Sequence, residues 1–196
     1  MGEAERTWVL PDEPVSVRLM ATIRADTHGV HDDLTSAGDV DEWLHAVGFG
    51  RAGPGATSAD LASARRLRAA VRHLAAMVTK DERPLAQYGS PDADSALRDL
   101  NEVVTHRPTP RLELTGGTLR EGLSYASSPV AAGLADIAQQ SIALLGGPGA
   151  ANLRACRAPG CVLFFVKTHP RREWCSIACG NRARAARHYE KVRSPR

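Results

Sequence analysis

Four cysteines, Cys156, Cys161, Cys175 and Cys179, are the only ones in this chain of 196 residues, and all lie in its last quarter. They form two close pairs, C-x4-C and C-x3-C, with thirteen residues between them. Such spacing suits one tetrahedral zinc ion held by four thiolates. Two disulfides are the alternative and require an oxidising compartment. The opening stretch MGEAERTWVLPDEP carries acids and no apolar h-region, so it does not read as a secretory signal. No run approaches the roughly 18 apolar residues of a membrane-spanning helix. Elimination leaves a cytoplasmic location, no membrane partner and reduced thiols. Iron–sulfur ligation stays chemically open. Cys175-x3-Cys179 lacks the C-x-x-C spacing of a redox pair.

Local chemistry predicts how the thiols meet. Pro159 and Gly160 supply a tight turn inside the first pair. Residues 162–166 are a short β-branched and aromatic run, a strand signal, broken by Thr168, His169 and Pro170. Residues 171–174 are expected to return as its partner strand and to deliver Cys175. Ser176 suits a helix N-cap, opening a helix over residues 177–192 with Cys179 in its first turn. Knuckle, hairpin and helix around one ion make a treble-clef-like module, too small to bury an adequate core without its metal.

The stretch CRAPGCVLFFVKTHPRREWCSIACGNRARAARHYEK resembles the CGNR zinc finger family. The likeness includes all four cysteines, the lead-in Arg171-Arg172-x-Trp174-Cys175-Ser176, the tetrapeptide Cys179-Gly180-Asn181-Arg182, and Arg187-His188-Tyr189. The preceding region is similar to the ABATE domain that usually accompanies this finger. Its pieces are Leu19-Met20-Ala21-Thr22, Ala64-Arg65-Arg66-Leu67-Arg68 and Arg154-x-Cys156. The resemblance implies a bacterial, stress-linked transcription regulator.

The net charge of +3 conceals a split. From Arg154 onward eleven Lys/Arg face two acids, Glu173 and Glu190, a net +9; the rest holds 14 against 20, a net −6. A basic end on an acidic body points to a polyanionic partner. Zinc held by four thiolates carries a formal charge of −2, so nearby arginines, Arg182 first among them, can simply neutralise it. The surplus suits phosphates, in a binding that salt weakens. Arg184, Arg187 and Lys191 recur at helical spacing as a ridge. With Arg171, Arg172, Asn181, Arg182 and Arg193 they are the candidate contacts to duplex DNA, mostly to its backbone.

Residues 1–150 read as a mainly α domain with small β-hairpins, and 151–196 as the finger. Residues 1–13 read as a loose tail, and 15–20 as a strand or the start of a helix. The group Asp26, His28, His31, Asp32 and Asp33 reads as an exposed loop, with a second metal site as the sharper alternative. Asp39 is expected to cap a helix over 40–47 with Trp43, Leu44 and Val47 inside. Thr57 or Ser58 opens the most regular helix, with Leu61, Ala64, Leu67, Val71, Leu74 and Val78 as its apolar stripe. Its arginines at 65, 66, 68 and 72 read as a solvated face. A helix over 91–104, capped by Ser90, should bury Ala93, Leu97, Leu100 and Val104. Residues 111–119 read as a hairpin turning at Gly116 and Gly117. Ser128 caps a helix over 129–145 with Val130, Leu134, Ile137, Ile142 and Leu145 facing in.

No nucleophile elbow, phosphate-binding glycine loop or zinc-protease helix is present, and four thiolates leave zinc no open position for water. The expectation is a non-enzymatic DNA-binding regulator whose larger domain senses a small-molecule effector or forms a homodimer. A protein-interaction module is the second reading. RNA binding through Phe164, Phe165, Trp174 and Tyr189 is the third.

Overall fold

The computed structural model describes residues 8–26, 29–84, 89 and 91–193. It is mainly helical with three separate two-stranded antiparallel hairpins. Among the described residues no helix is long and apolar enough to cross a membrane. The expected cap Ser90 and the histidine His28 lie outside the described residues, as do most of the expected tail and the last three residues.

Val15–Met20 is a helix, α1, buried almost all round, which is why its sequence shows no clean period. A hairpin follows, β1 (Ile23–Asp26) with β2 (Gly29–Asp32). The helix α2 spans Ala37–Ala46 and is capped by Ser36, one turn earlier than expected. Asp39 sits at its third position, where its carboxylate accepts from the Ser36 N–H while Ser36 Oγ accepts from the Asp39 N–H. Thr57 and Asp60 build the same box at α3 (Ser58–Thr79). Asp92 caps α4 (Ala93–Val104). The long hairpin β3 (Thr109–Thr115) and β4 (Thr118–Ser124) turns at Gly116–Gly117 as expected. Ser128 caps α5 (Pro129–Gly146), and a 3-10 turn, Pro148–Asn152, leads on.

Several expectations are corrected by this arrangement. In α4 the buried positions are Ala96, Leu100 and Val103, and Leu97 is exposed. The expected and observed series share Leu100 and differ by one residue on either side of it, Ala96 in place of Leu97 and Val103 in place of Val104, and α4 packs on α3 and α5. In α3, Val78 is exposed while Arg68 and Arg72 are buried. Arg68 holds Asp32 through two hydrogen bonds of 2.6 and 2.7 Å and also donates to Thr22 Oγ1. Arg72 donates to the carbonyls of Met20 and Val162. Burial and the nearby Arg68 and Arg83 charges bring its pKa down to about 10, still protonated at neutral pH. The acidic group at 26–33 is a hairpin whose carboxylates are spoken for: Asp32 by Arg68, Asp33 by Arg24 and Asp26 by His31. Among the described residues it does not gather as a metal site.

A further correction concerns the finger. Residues 171–174 do not form a strand. The partner of β6 (Phe164–Val166) is β5 (Leu153–Ala155), which precedes the first cysteine pair. Alternation along β6 then separates two cores. Phe164 joins Leu153 in the main core, to which α1 to α5 all contribute, while Phe165 enters the cysteine cluster. Fully burying a phenylalanine is worth roughly 1.5–3 kcal/mol, so one short strand anchors both sides.

Candidate metal centre

The turn between Cys156 and Cys161 closes with the Cys161 N–H donating to the Ala158 carbonyl at 3.0 Å. Gly160 sits in it at φ +71°, a conformation that side chains other than glycine rarely take. The Cys156 N–H donates to the Leu163 carbonyl and so extends the β5–β6 ladder into the knuckle. After β6 the chain returns through a loop. Ser176 Oγ accepts from the Cys179 N–H at 3.2 Å, capping α6 (Ile177–Arg193) and fixing Cys179 in its first turn.

The four Sγ atoms all lie within 4.8 Å of one another, and all four residues are buried. No disulfide joins them. The Cys161–Cys175 and Cys175–Cys179 sulfur separations are 3.8 and 3.4 Å. A tetrahedral ion with Zn–S bonds of about 2.3 Å has sulfurs about 3.8 Å apart. Four buried thiols at that spacing, with no water-facing ligand among them, fit a closed sulfur sphere. Hydrogen bonding among the crowded sulfurs pushes the Cys156 thiol below its usual range and the Cys161 and Cys175 thiols above it.

Cations brace this centre from several sides. Arg182 donates to Cys179 Sγ at 3.1 Å, which is the neutralising role expected of it. Arg172 does not face outward as a free cation. It lies over the Phe165 ring and donates to the carbonyls of Val166, Trp174 and Cys175. It also forms a 2.5 Å ion pair with buried Glu13, outside hydrogen-bond alignment. Glu13 Oε2 in turn accepts from the Val166 N–H. Arg172 is therefore a structural residue, because the loop that replaced the expected strand needs donors for its inward-facing carbonyls.

The strongest brace has no signal in the sequence. Arg83 donates to the carbonyls of both Cys156 and Cys161. Its guanidinium is held by Asp81, fully buried, at 2.8 and 2.6 Å, and Arg157 reaches the same carboxylate at 3.2 Å. Burial works to raise the Asp81 pKa, but the Arg83 hydrogen bonds and charge outweigh it and leave the carboxyl below its ordinary range. α3 ends at left-handed Lys80, and the turn that follows aims Asp81 inward. No local pattern marks such a pair; its partners are more than seventy residues away.

The remaining candidates sit on α6 and its approach. Trp174 lies across Gly180, where a Cβ would meet its ring at 3.1 Å. Arg187 stacks over the same ring at 5.8 Å. Asn181 accepts from Arg184, so it braces that side chain. Only Cys179, Gly180 and Ala183 of α6 are buried. Among the described residues Arg171, Arg184, Arg187, Lys191 and Arg193 are exposed and form no ion pair.

A mainly helical domain ending in a four-cysteine metal finger is the class that these features define. The chain belongs to the ABATE family, described as "putative stress-induced transcription regulator", whose pattern covers residues 13–148; residues 152–192 match the CGNR zinc finger. No curated protein matches the chain. The finger family and the gathered thiols together identify the metal as zinc.

Proposed function

We propose that the chain is a non-enzymatic, DNA-binding transcription regulator of bacterial type, working in a reducing cytoplasm. The observation that carries this reading is α6. It leaves the sulfur cluster at Ala183 and runs ten further residues with Arg184, Arg187 and Lys191 along one side, unpaired with carboxylates among the described residues. A rigid rod with a cationic ridge can lie against a duplex and meet its phosphates. The order of knuckle, hairpin strand and helix supports a treble-clef-like module. Zinc there supplies folding energy and no reactivity, since four thiolates close its sphere. Arg171 lines the same hollow as Arg184 and extends the ridge at its near end, while Arg193, nine residues past Arg184, falls on the opposite side of the helix and is not part of it. The structural duties of Arg172, Arg182 and Asn181 take them out of the primary contact set. The larger domain is left to sense an effector or to pair two copies.

The test is duplex binding followed by anisotropy across a salt series. Arg184→Ala with Arg187→Ala should keep the metal and flatten the log–log salt slope by about 2, at roughly 0.9 for each phosphate that the variant ceases to neutralise. No binding of the native chain at about 50 mM salt, or an unchanged slope in the double variant, would sink the reading.

A protein-interaction reading has its own observation. Ala185, Tyr189 and Val192 share the side of α6 away from the ridge, and Tyr189 and Val192 are two-thirds exposed. The RNA reading is weakened, because Phe164 and Phe165 are core residues with no face to offer a base.

A further inference from the structure

The β3–β4 hairpin is amphipathic in a way that neither the finger nor the helical core uses. Residues paired across an antiparallel ladder share a face. Pro110 pairs with Leu123, Leu112 with Glu121, and Leu114 with Leu119, so four leucines lie on one side. The other side carries Arg111, Glu113, Thr115, Thr118 and Arg120. Leu112, Leu114, Leu119 and Leu123 are 70, 71, 64 and 45% exposed. The apolar side thus faces water, with no described residue covering it. It presents on the order of 400 Å² of contiguous apolar surface, within the roughly 300–600 Å² of a monomer's largest patch, which is often functional. Among the described residues no strand pairs with either edge of this ribbon, which makes an uncovered leucine face an aggregation hazard.

We propose that the leucine face of the β3–β4 hairpin is the contact between two copies of this chain. Charge selects that occupant. Arg111 and Arg120 are balanced by Glu113 and Glu121, and Arg111 is ion-paired to Glu113 at 2.7 Å. A neutral ribbon offers nothing to draw an anionic membrane or a nucleic acid, and it does not repel its own copy. A two-fold axis lets one leucine face serve as both halves of the contact. Glu121 lies on the apolar side, but a two-stranded ribbon has only rim positions, so its carboxylate stays in water when the leucines meet. Area sets the strength. Two such faces bury on the order of 800 Å² together, short of the roughly 1,200 Å² of stable interfaces. The dimer is therefore a weak, reversible one. This deepens the pairing role left to the larger domain and does not depend on the duplex reading.

Sedimentation velocity on the full, zinc-loaded chain tests it without nucleic acid, over about 1–200 μM, a range in which even a weak dimer populates. The mass should rise from the 21.0 kDa monomer toward twice that value. Leu114→Asp with Leu119→Asp should hold the chain at monomer mass throughout, and Thr115→Asp, on the opposite face, should leave the dimer intact. Hydrogen exchange of the native chain gives a readout free of substitutions: amide protection over 109–124 should grow with concentration. A native chain that stays monomeric, a dimer that survives the double aspartate change, or a monomer whose leucine face instead binds neutral lipid vesicles would each overturn the proposal.

Discussion

Asp81 shows how much can hang on one side chain. It is fully buried, it holds Arg83 through two hydrogen bonds, and Arg83 holds the backbone carbonyls on either side of the knuckle. Asp81→Asn removes the charge and leaves the Arg83 guanidinium without its counter-ion. Breaking a buried pair from one side typically costs about 3–5 kcal/mol; the amide keeps one acceptor and Arg83 is partly exposed, so about 2–3 kcal/mol is expected. Chemical denaturation with zinc saturated measures it, and a loss within about 0.5 kcal/mol would show the brace to be incidental. Arg72 teaches the same lesson about legibility. Hydrophobic spacing on α3 marks Leu67, Val71 and Leu74 correctly, because apolar burial repeats with the helix. It misplaces Arg72, because what buries that residue is a pair of carbonyls, on Met20 and Val162, that no local pattern can supply.

At the level of elements, β6 belongs to two cores at once, and α6 belongs to only one. Phe164 and Leu153 are held by the helical domain whether or not the metal is bound, whereas α6 is tied down chiefly through Cys179 and Ala183. Stripping zinc with a chelator should therefore release the segment beyond residue 167 to protease while the strands at 153–166 stay protected. Structural zinc in such modules contributes on the order of 10 kcal/mol to folding, enough to decide the fate of a helix with three buried residues. Limited proteolysis read by mass spectrometry distinguishes this from loss of the whole finger or of nothing. The helices were legible from their caps: Thr57, Ser128 and the alternation of polar and apolar residues place α3 and α5 to within a residue or two. The four ligands were legible from spacing alone. The strand pairing was not. A three-residue strand carries little signal, and β6 had an equally suitable partner downstream, so the choice of β5 rests on Leu153 and Phe164 meeting in the distant helical core.

Across the whole molecule, acid should loosen the fold through two carboxylates in particular. Burial works to raise both Asp32 and Asp81, but hydrogen bonds and charge from Arg68 and Arg83 win and depress them. A carboxyl depressed in the fold takes up its proton near pH 4 once unfolded and only at lower pH when folded. Its stabilisation is therefore complete above about pH 4 and fades as pH falls through the folded values. Thermal melts across pH 3–7 should show a flat upper region for this contribution and a fall at the acid end, shallower in Asp81→Asn. An equally steep fall in that variant would assign the acid sensitivity to other groups. The same long-range ties between the two parts of the chain bear on transplantation. An excised tail grafted onto a foreign carrier would bring Phe164 and Leu153 without the greasy seat that receives them, and would leave the knuckle without the guanidinium that steadies it. Recombination that shuffles this finger as a cassette should thus favour breakpoints well upstream of the first cysteine, carrying its cradle along.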